Sequence, residues 1–230
     1  MSLADKKNCY RSMFDSCSSL TQAPELPATT LGSVCYGYMF SNCTSLTTAP
    51  ELPATTLAAN CYSNMFYGCS SLTQAPELPA TTLAEWCYSG MFIRCVSLTT
   101  APELPATTLA ANCYYEMFSG CSSLTQAPAL PATTLAEWCY KNMFDLCTSL
   151  TTAPELPATT LAANCYSGMF NRCTNLNYVK VAFTNWNTTN ATNNWLPNNT
   201  GTFECPQALI DNTTDRTSNT VPANWSMVAA

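Results

Sequence analysis

The amino-acid sequence predicts an α/β repeat solenoid, a right-handed stack in which each unit supplies a short helix and a very short parallel strand. Three observations support this prediction. A Cys-Tyr-x-x-Met-Phe-x-x-Cys block recurs every 26 residues, a proline-rich segment separates the blocks, and the repeat lapses after Leu176. The chain therefore divides into a leader at 1–8, the solenoid at 9–176 and a small β-rich C-terminal cap at 177–230. A fixed period of this length is typical of arrays whose units bury their apolar faces against one another.

The repeats are nearly identical to one another. The block begins at Cys9, Cys35, Cys61, Cys87, Cys113, Cys139 and Cys165. The segment Ser-Leu-Thr-x-Ala-Pro-Glu-Leu-Pro-Ala-Thr-Thr-Leu lies between blocks, and its Pro-Glu-Leu-Pro core changes once, at Ala129. A second period of 52 residues relates Glu85-Trp86 to Glu137-Trp138, which indicates that the array grew by duplicating pairs of repeats.

The block itself predicts the helix. In residues 61–69, apolar side chains fall at positions i, i+1, i+4, i+5 and i+8, which fits one face of a helix. Asn60 is placed to cap its N-terminus, and Gly68 is placed where a left-handed residue often ends a helix. Such a helix has at most about three turns, so it depends on packing against its neighbours.

The proline-rich segment predicts the strand. Pro76 and Pro79 exclude a helix after Leu72, and proline cannot donate a hydrogen bond within a sheet. We therefore expect a parallel sheet with only about two to four residues per strand, covering Leu72 to Ala75 in this repeat. Leu72, Ala75, Leu78 and Leu83 are expected to point inward.

Composition excludes several classes of function. The net charge is −6 with only 8 Lys and Arg residues, so the basic surface that binds nucleic acid is missing. No apolar stretch is long enough to cross a membrane. The chain has no histidine, the most common general base and metal ligand. We predict no catalytic residue, no cofactor and no metal site, and we expect a monomer rather than an oligomer.

The 15 cysteines raise the alternatives of disulfides or zinc. The two cysteines of a block would lie about 12 Å apart on a helix, which is too far for a disulfide. The axes of neighbouring helices would lie roughly 8–10 Å apart, which also disfavours disulfides between repeats. The chain has no pair of cysteines with the two- to four-residue spacing of zinc sites. We predict that the fourteen repeat cysteines are free, buried thiols, and that Cys205 is another core thiol.

The repeat resembles the BspA-type leucine-rich repeats of bacterial surface proteins. Met65-Phe66, Cys69, Leu72 and Pro79 stand where that family has its Ala-Phe-x-x-Cys-x-x-Leu run and the proline that ends its strand. The resemblance covers roughly residues 9–176, although this unit is a few residues longer and carries an extra Pro-Glu. It implies a leucine-rich-repeat-like stack in a secreted, surface-attached or virion-borne binding protein. It identifies no ligand and supplies no catalytic residue.

The C-terminal segment predicts short strands at 177–183, 201–205 and 224–228, from β-branched and aromatic residues. Its tryptophans allow two interpretations. Trp186, Trp195 and Trp225 cover the open end of the core, or they form an aromatic platform for a carbohydrate.

Two surfaces are candidates for binding. The first is a row of carboxylates, at Glu25, Glu51, Glu77, Glu103 and Glu155. Stacked about 4.8 Å apart, they would favour a cation or a basic ligand, unless the side chains splay into water. The second is the set of variable positions after Cys-Tyr and Met-Phe, with aromatic Tyr38, Tyr67 and Tyr115 and apolar Ile93 and Leu146. Drift on a solvated surface would also explain this variation.

These features predict a non-catalytic binding or adhesion module that presents a solenoid surface to a ligand. The expected partner is a host or bacterial surface protein or a glycan, and the expected location is extracellular or at the cell surface. The alternative is a structural spacer or stalk in a cell-surface or phage-borne protein.

Overall fold

The computed structural model describes residues 1–230 and confirms a repeat protein. Equivalent residues of successive repeats lie in register, and their aromatic rings form two columns. Within the tyrosine column, ring centroids are 5.7 to 6.0 Å apart, as between Tyr62 and Tyr88 and between Tyr140 and Tyr166. Within the phenylalanine column, the separations are 5.5 to 5.7 Å. The single core therefore runs through all the repeats.

The predicted helix is wrong, because each block is a series of tight turns. Alternate N–H groups donate to the carbonyl three residues back, as Met65 does to Tyr62 at 3.2 Å. The N–H groups between them donate to the next repeat, as Phe66 does to Met91 at 2.9 Å. Every fourth residue is left-handed, with φ of 58° at Asn60 and 70° at Gly68. An α-helix needs negative φ throughout, so Asn60 does not cap one.

In the structure, the apolar residues of the block follow a period of four residues, not the 3.6 of an α-helix. Because the turns bring the chain back to the same orientation after four residues, Cys61-Tyr62 and Met65-Phe66 all point inward. Their exposed fractions are 0–1%. Over nine residues, the two periods place apolar side chains at the same positions, so the pattern alone does not distinguish them.

The predicted strands of the repeats are parallel but narrower than expected. Each proline-rich segment contributes single bridging residues, as in Thr48↔Gln74 and Gln74↔Thr100. Leu72 and Leu78 are buried as predicted, while Ala75 and Leu83 are only partly buried. The missing proline N–H groups leave the pairing to isolated residues.

The array includes residues on both sides of 9–176. At its start, Ser2 bridges Thr30, and Leu3 is 4% exposed. At the other end, residues 190–196 form a further turn block without cysteine. Tyr166 donates to Ala191 and Phe170 donates to Trp195, both at 2.8 Å. Asn190, which lies 26 residues after Asn164, is left-handed in the same way.

The regular secondary structure lies near the C-terminus, as β1 Tyr178–Lys180, β2 Gly201–Cys205, α1 Gln207–Asp211 and β3 Trp225–Ala229. The strands form a parallel sheet in the order β1-β2-β3. The three predicted strands are therefore confirmed, the second with its predicted bounds.

The tryptophans of this segment pack into the core. Trp195 is 0% and Trp225 is 1% exposed, and their indole N–H groups donate to the carbonyls of Thr220 and Pro197. A buried ring offers no face to a sugar, so the carbohydrate platform is wrong for these two. Trp186 is half-buried and packs edge-on against Phe183, with their ring centroids 5.3 Å apart.

All fifteen cysteines are free, but the geometric reason predicted for this is wrong. Neighbouring repeats are joined by backbone hydrogen bonds, which hold them much closer than packed helices. In every block after the first, the second cysteine donates its S–H to the phenylalanine carbonyl of the preceding repeat. Cys69 bonds to Phe40 and Cys95 to Phe66 in this way, both at 3.1 Å. The thiol therefore both fills the core and satisfies a buried acceptor.

Thiol modification of the native protein is expected to show two classes. The prediction that all fourteen repeat cysteines are buried is wrong for Cys9 and Cys17, which are exposed in the first repeat, whereas the other thirteen cysteines are buried. Burial raises the pKa of Cys69 and Cys87 to about 12, so these thiols are protonated as well as inaccessible. At neutral pH we expect two thiols to react rapidly, and fifteen after unfolding. More than two rapidly reacting thiols would contradict the burial of the other thirteen. The double variant with Cys9→Ala and Cys17→Ala is the control, because it should lose the rapid phase of the reaction.

Candidate functional site

The residues between the buried apolar pairs of the turn blocks line one side of the array, which we call the turn face. Its larger side chains are exposed or partly buried, and small ones such as Ser63 and Ser89 are buried. It consists of the residue before each block and the two residues after each Cys-Tyr and each Met-Phe pair. Three of these five positions are left-handed in each repeat, as at Asn60, Asn64 and Gly68. The sequence-predicted residues Tyr38, Tyr67, Ile93, Tyr115 and Leu146 all lie on the turn face.

Asparagine and glycine satisfy the backbone demands of this face. Asparagine tolerates the left-handed region better than most residues, and glycine adopts it without steric cost. At Gly68 a second reason applies, because an added Cβ would lie 2.6 Å from Oδ1 of Asn42 in the preceding repeat. The fold therefore explains most residues of the left-handed rows.

Ten of the 23 left-handed residues are neither asparagine nor glycine, and Trp86 and Trp138 are the largest of them. Each is left-handed, with φ of 58° and 61°, at the position that asparagine occupies in the repeats of Asn60, Asn112 and Asn164. A large side chain in this region costs roughly 1–2 kcal/mol. Trp86 is 37% exposed, so more than one-third of its surface stays open to a ligand. The fold does not require tryptophan at this position.

A depression of about 390 Å³ surrounds Trp86 on the turn face. Its lining combines aromatic and apolar side chains with amides, hydroxyls and one carboxylate, namely Tyr38, Asn60, Ser63, Asn64, Trp86, Ser89, Gly90, Ile93, Tyr115 and Glu116. The rings of Trp86 and Tyr115 are 5.5 Å apart and tilted by 50°. The structure thus brings three predicted residues together, at Tyr38, Ile93 and Tyr115.

Two predicted residues stay outside this depression. Leu146 is 38% exposed on another part of the turn face, and Tyr67 is half-buried. The central residue, Trp86, was missed by sequence reasoning, which used it only to recognise paired repeats. The available signal was the replacement of Ala-Asn by Glu-Trp at a position where the other repeats keep asparagine or valine.

The carboxylate of Glu116 is held in place at the edge of the depression. Its Oε1 accepts a hydrogen bond from Nδ2 of Asn142 at 3.2 Å. Burial, then the negative charge of Glu116 and a hydrogen bond to it, raise the pKa of Tyr115 to about 12. Tyr115 is therefore a neutral phenol at physiological pH, beside a fixed negative charge.

Basic side chains of the chain itself lie on aromatic rings of the turn face. The ammonium of Lys141 is 3.9 Å from the ring centroid of Trp138, and the guanidinium of Arg11 is 5.9 Å from that of Tyr38. The indole N–H of Trp138 donates to Glu137 at 2.6 Å. Rings on this surface are therefore accessible to cations.

The predicted carboxylate row lies on a different surface, formed by the Pro-Glu-Leu-Pro segments, which we call the proline face. All five carboxylates are exposed. Depressions of about 310 to 370 Å³ lie between successive segments, and Glu51 and Glu77 share one of them. Next to Glu103, the following segment contributes Ala129 instead of a carboxylate.

The row continues into the C-terminal sheet with alternating charges. The ammonium of Lys180 lies 3.6 Å from Glu155 and 3.3 Å from Glu204. The hydroxyl of Tyr178 donates to Glu204 at 2.5 Å, and this bond is the main cause of the lowered pKa of Glu204. At this end, the chain supplies its own cation between two carboxylates.

No group of three or more His, Cys, Asp or Glu side chains is arranged to hold a metal ion. No helix has the length and apolar character needed to span a membrane. No model of a known family, no curated protein and no solved structure matches this chain.

Proposed function

We propose that this protein is a non-catalytic binding module, a leucine-rich-type solenoid of the BspA kind displayed outside the cell or at its surface. The turn face binds a surface protein or a glycan. The observation that supports this most directly is the exposed, left-handed Trp86, in a depression that it shares with Tyr38 and Tyr115.

The backbone at position 86 suits a smaller residue than tryptophan. Asn60 and Asn112 show which residue suits the backbone at this position, and both lie in otherwise similar repeats. Trp86 replaces it with a strained residue whose ring is more than one-third exposed. Exposed aromatic side chains in a depression are the residues that most often anchor binding. Strain at an exposed site is typical of functional positions.

Replacing Trp86 by the residue of its neighbours tests the proposal. We expect Trp86→Asn to weaken binding to a ligand found on glycan and surface-protein arrays by at least about tenfold, the loss typical of a moderate anchor. We expect stability to change by no more than about 1 kcal/mol, because relief of the left-handed strain opposes the loss of the contact between Trp86 and Tyr115. Array binding and urea unfolding measure the two effects.

The matched control lies on the proline face. Glu77→Ala reproduces what Ala129 already shows in another repeat, so it should leave both folding and array binding unchanged. Loss of binding in Glu77→Ala but not in Trp86→Asn would transfer the site to the proline face. A wild-type chain that binds nothing on either array would contradict the proposal and favour a spacer or stalk.

A further inference from the structure

We infer that the depression around Trp86 is a binding site for an alkylated ammonium group. The cation would lie against the rings of Trp86 and Tyr115, with the carboxylate of Glu116 as its counter-charge. This inference rests on the proposed function, since it names the ligand chemistry of the same site.

The other tryptophan repeat places a cation of its own on its indole ring. Trp86 and Trp138 are 52 residues apart and occupy equivalent positions. Three residues after Trp138 comes Lys141, whose ammonium lies 3.9 Å from the centre of the indole ring. Three residues after Trp86 comes Ser89, which carries no cation. One copy of the site thus contains its own ammonium group, and the other copy has a depression with Ser89 in its lining.

The site at Trp86 has a second aromatic ring and a carboxylate beside it. The following repeat contributes Tyr115, whose ring is 5.5 Å from that of Trp86 and tilted by 50°, so the two rings form adjacent walls. It also contributes Glu116, which Asn142 holds in place. The equivalent residues beside Trp138 are Ser167 and Gly168, which supply neither ring nor charge. Of the two tryptophans, the one with the additional ring and carboxylate beside it is therefore Trp86, over whose indole no internal cation lies.

The chemistry selects an alkylated cation. Ring faces attract ammonium groups electrostatically, and a nearby carboxylate adds to that attraction. A primary ammonium needs hydrogen-bond acceptors for its three N–H groups, whereas an alkylated one needs apolar contact, which Trp86, Tyr115 and Ile93 provide. The volume of about 390 Å³ is within the range of small-molecule sites. The net charge of −6 also favours a cationic ligand.

Indole resonances of the full chain provide the test. The protein has five tryptophans, and a comparison with Trp86→Asn assigns the resonance of Trp86. Tetramethylammonium, choline and Nε-trimethyl-lysine are the probes, which separate a free quaternary ammonium from a modified side chain. We expect a saturable shift of the Trp86 resonance with millimolar affinity for at least one of them, and no shift for Trp138. The neutral isostere of choline, 3,3-dimethyl-1-butanol, should cause no saturable shift.

Two substitutions sharpen the result. Ser89→Lys places a lysine where Lys141 stands relative to Trp138, so we expect it to abolish binding of the probes. Glu116→Gln removes the counter-charge and should weaken binding by about tenfold, equivalent to about 1.4 kcal/mol. Equal binding of the neutral isostere, unchanged binding in Ser89→Lys, or no shift with any of the three cations would overturn the inference.

The outcome also separates this inference from the proposed function. Array binding that is lost in Trp86→Asn but not competed by tetramethylammonium leaves the binding module standing and overturns the cation site. A saturable shift of the Trp86 resonance, together with no binding on the glycan and surface-protein arrays, supports the cation site and contradicts a module that binds those ligands.

Discussion

Raising the pH is expected to unfold this protein cooperatively at about pH 10, because the core contains many thiols that cannot ionise while they are buried. Burial is the main cause of the raised pKa of Cys69, Cys87 and Cys165, which each reach about 12 from 9.0. Burial likewise raises the pKa of the tyrosine column, as at Tyr62 and Tyr88. The buried cysteines and the tyrosine column therefore both stay un-ionised while the chain is folded.

The direction of the effect follows from the raised pKa values. In the unfolded chain the thiols ionise near pH 9, so their contribution to stability is fully present only below that pH. It is lost as the pH rises toward 12, at about 1.4 kcal/mol per pH unit for each thiol. Thirteen thiols are buried. Even a fraction of them would exceed the total stability of about 5–15 kcal/mol typical of folded proteins within one or two pH units.

Circular dichroism and thiolate absorbance, recorded together under reducing conditions, measure this effect. We expect the thiolate signal of the buried cysteines to develop only as the folded signal is lost. The variant with Cys9→Ala and Cys17→Ala should keep the same midpoint, because those thiols are exposed. Full thiolate formation in a chain that remains folded would contradict the raised pKa values.

The sequence predicted the repeat but not its local backbone. The nearly identical blocks, one per 26 residues, predicted the repeat, and the segment Gly201–Cys205 was predicted as a strand with the bounds that the structure shows. The helix was wrong because a nine-residue block with paired apolar residues fits both a helix and a series of turns. Asn and Gly are enriched at every fourth residue of the blocks, as at Asn60, Asn64 and Gly68, and this enrichment was the signal for turns.

The same limitation applies to the ends of the array and to the site. Residues 190–196 were missed because Ala191 and Trp195 replace the cysteine and methionine that marked the repeat. Tyr38, Ile93 and Tyr115 were predicted as outward residues, and the structure brings them together. Trp86 was missed because its exposure depends on turn geometry, which a pattern of apolar residues does not specify.

The second large effect is expected from the phenylalanine column. Phe92 is fully buried, and its ring lies 5.6 Å from both Phe66 and Phe118. We expect Phe92→Ala to lower the free energy of unfolding by about 3–5 kcal/mol, because it removes a large buried side chain and leaves a cavity between two rings. Urea denaturation followed by circular dichroism measures the loss.

Phe14→Ala is the matched control, since it makes the same chemical change at the same position of the first repeat. Phe14 is only partly buried and stacks on one ring, that of Phe40 at 5.5 Å. Its loss should cost about 1 kcal/mol, the usual size for a site with little burial. In a repeat array, each unit is stabilised by its own contacts and by both neighbours. A cavity in a central repeat therefore weakens two interfaces, and a cavity in an end repeat weakens one.

Equal decreases in the free energy of unfolding for the two variants would mean that the ring column does not couple neighbouring repeats. A larger loss for Phe92→Ala with a shallower urea transition would mean that the two halves of the array unfold separately once the column is broken.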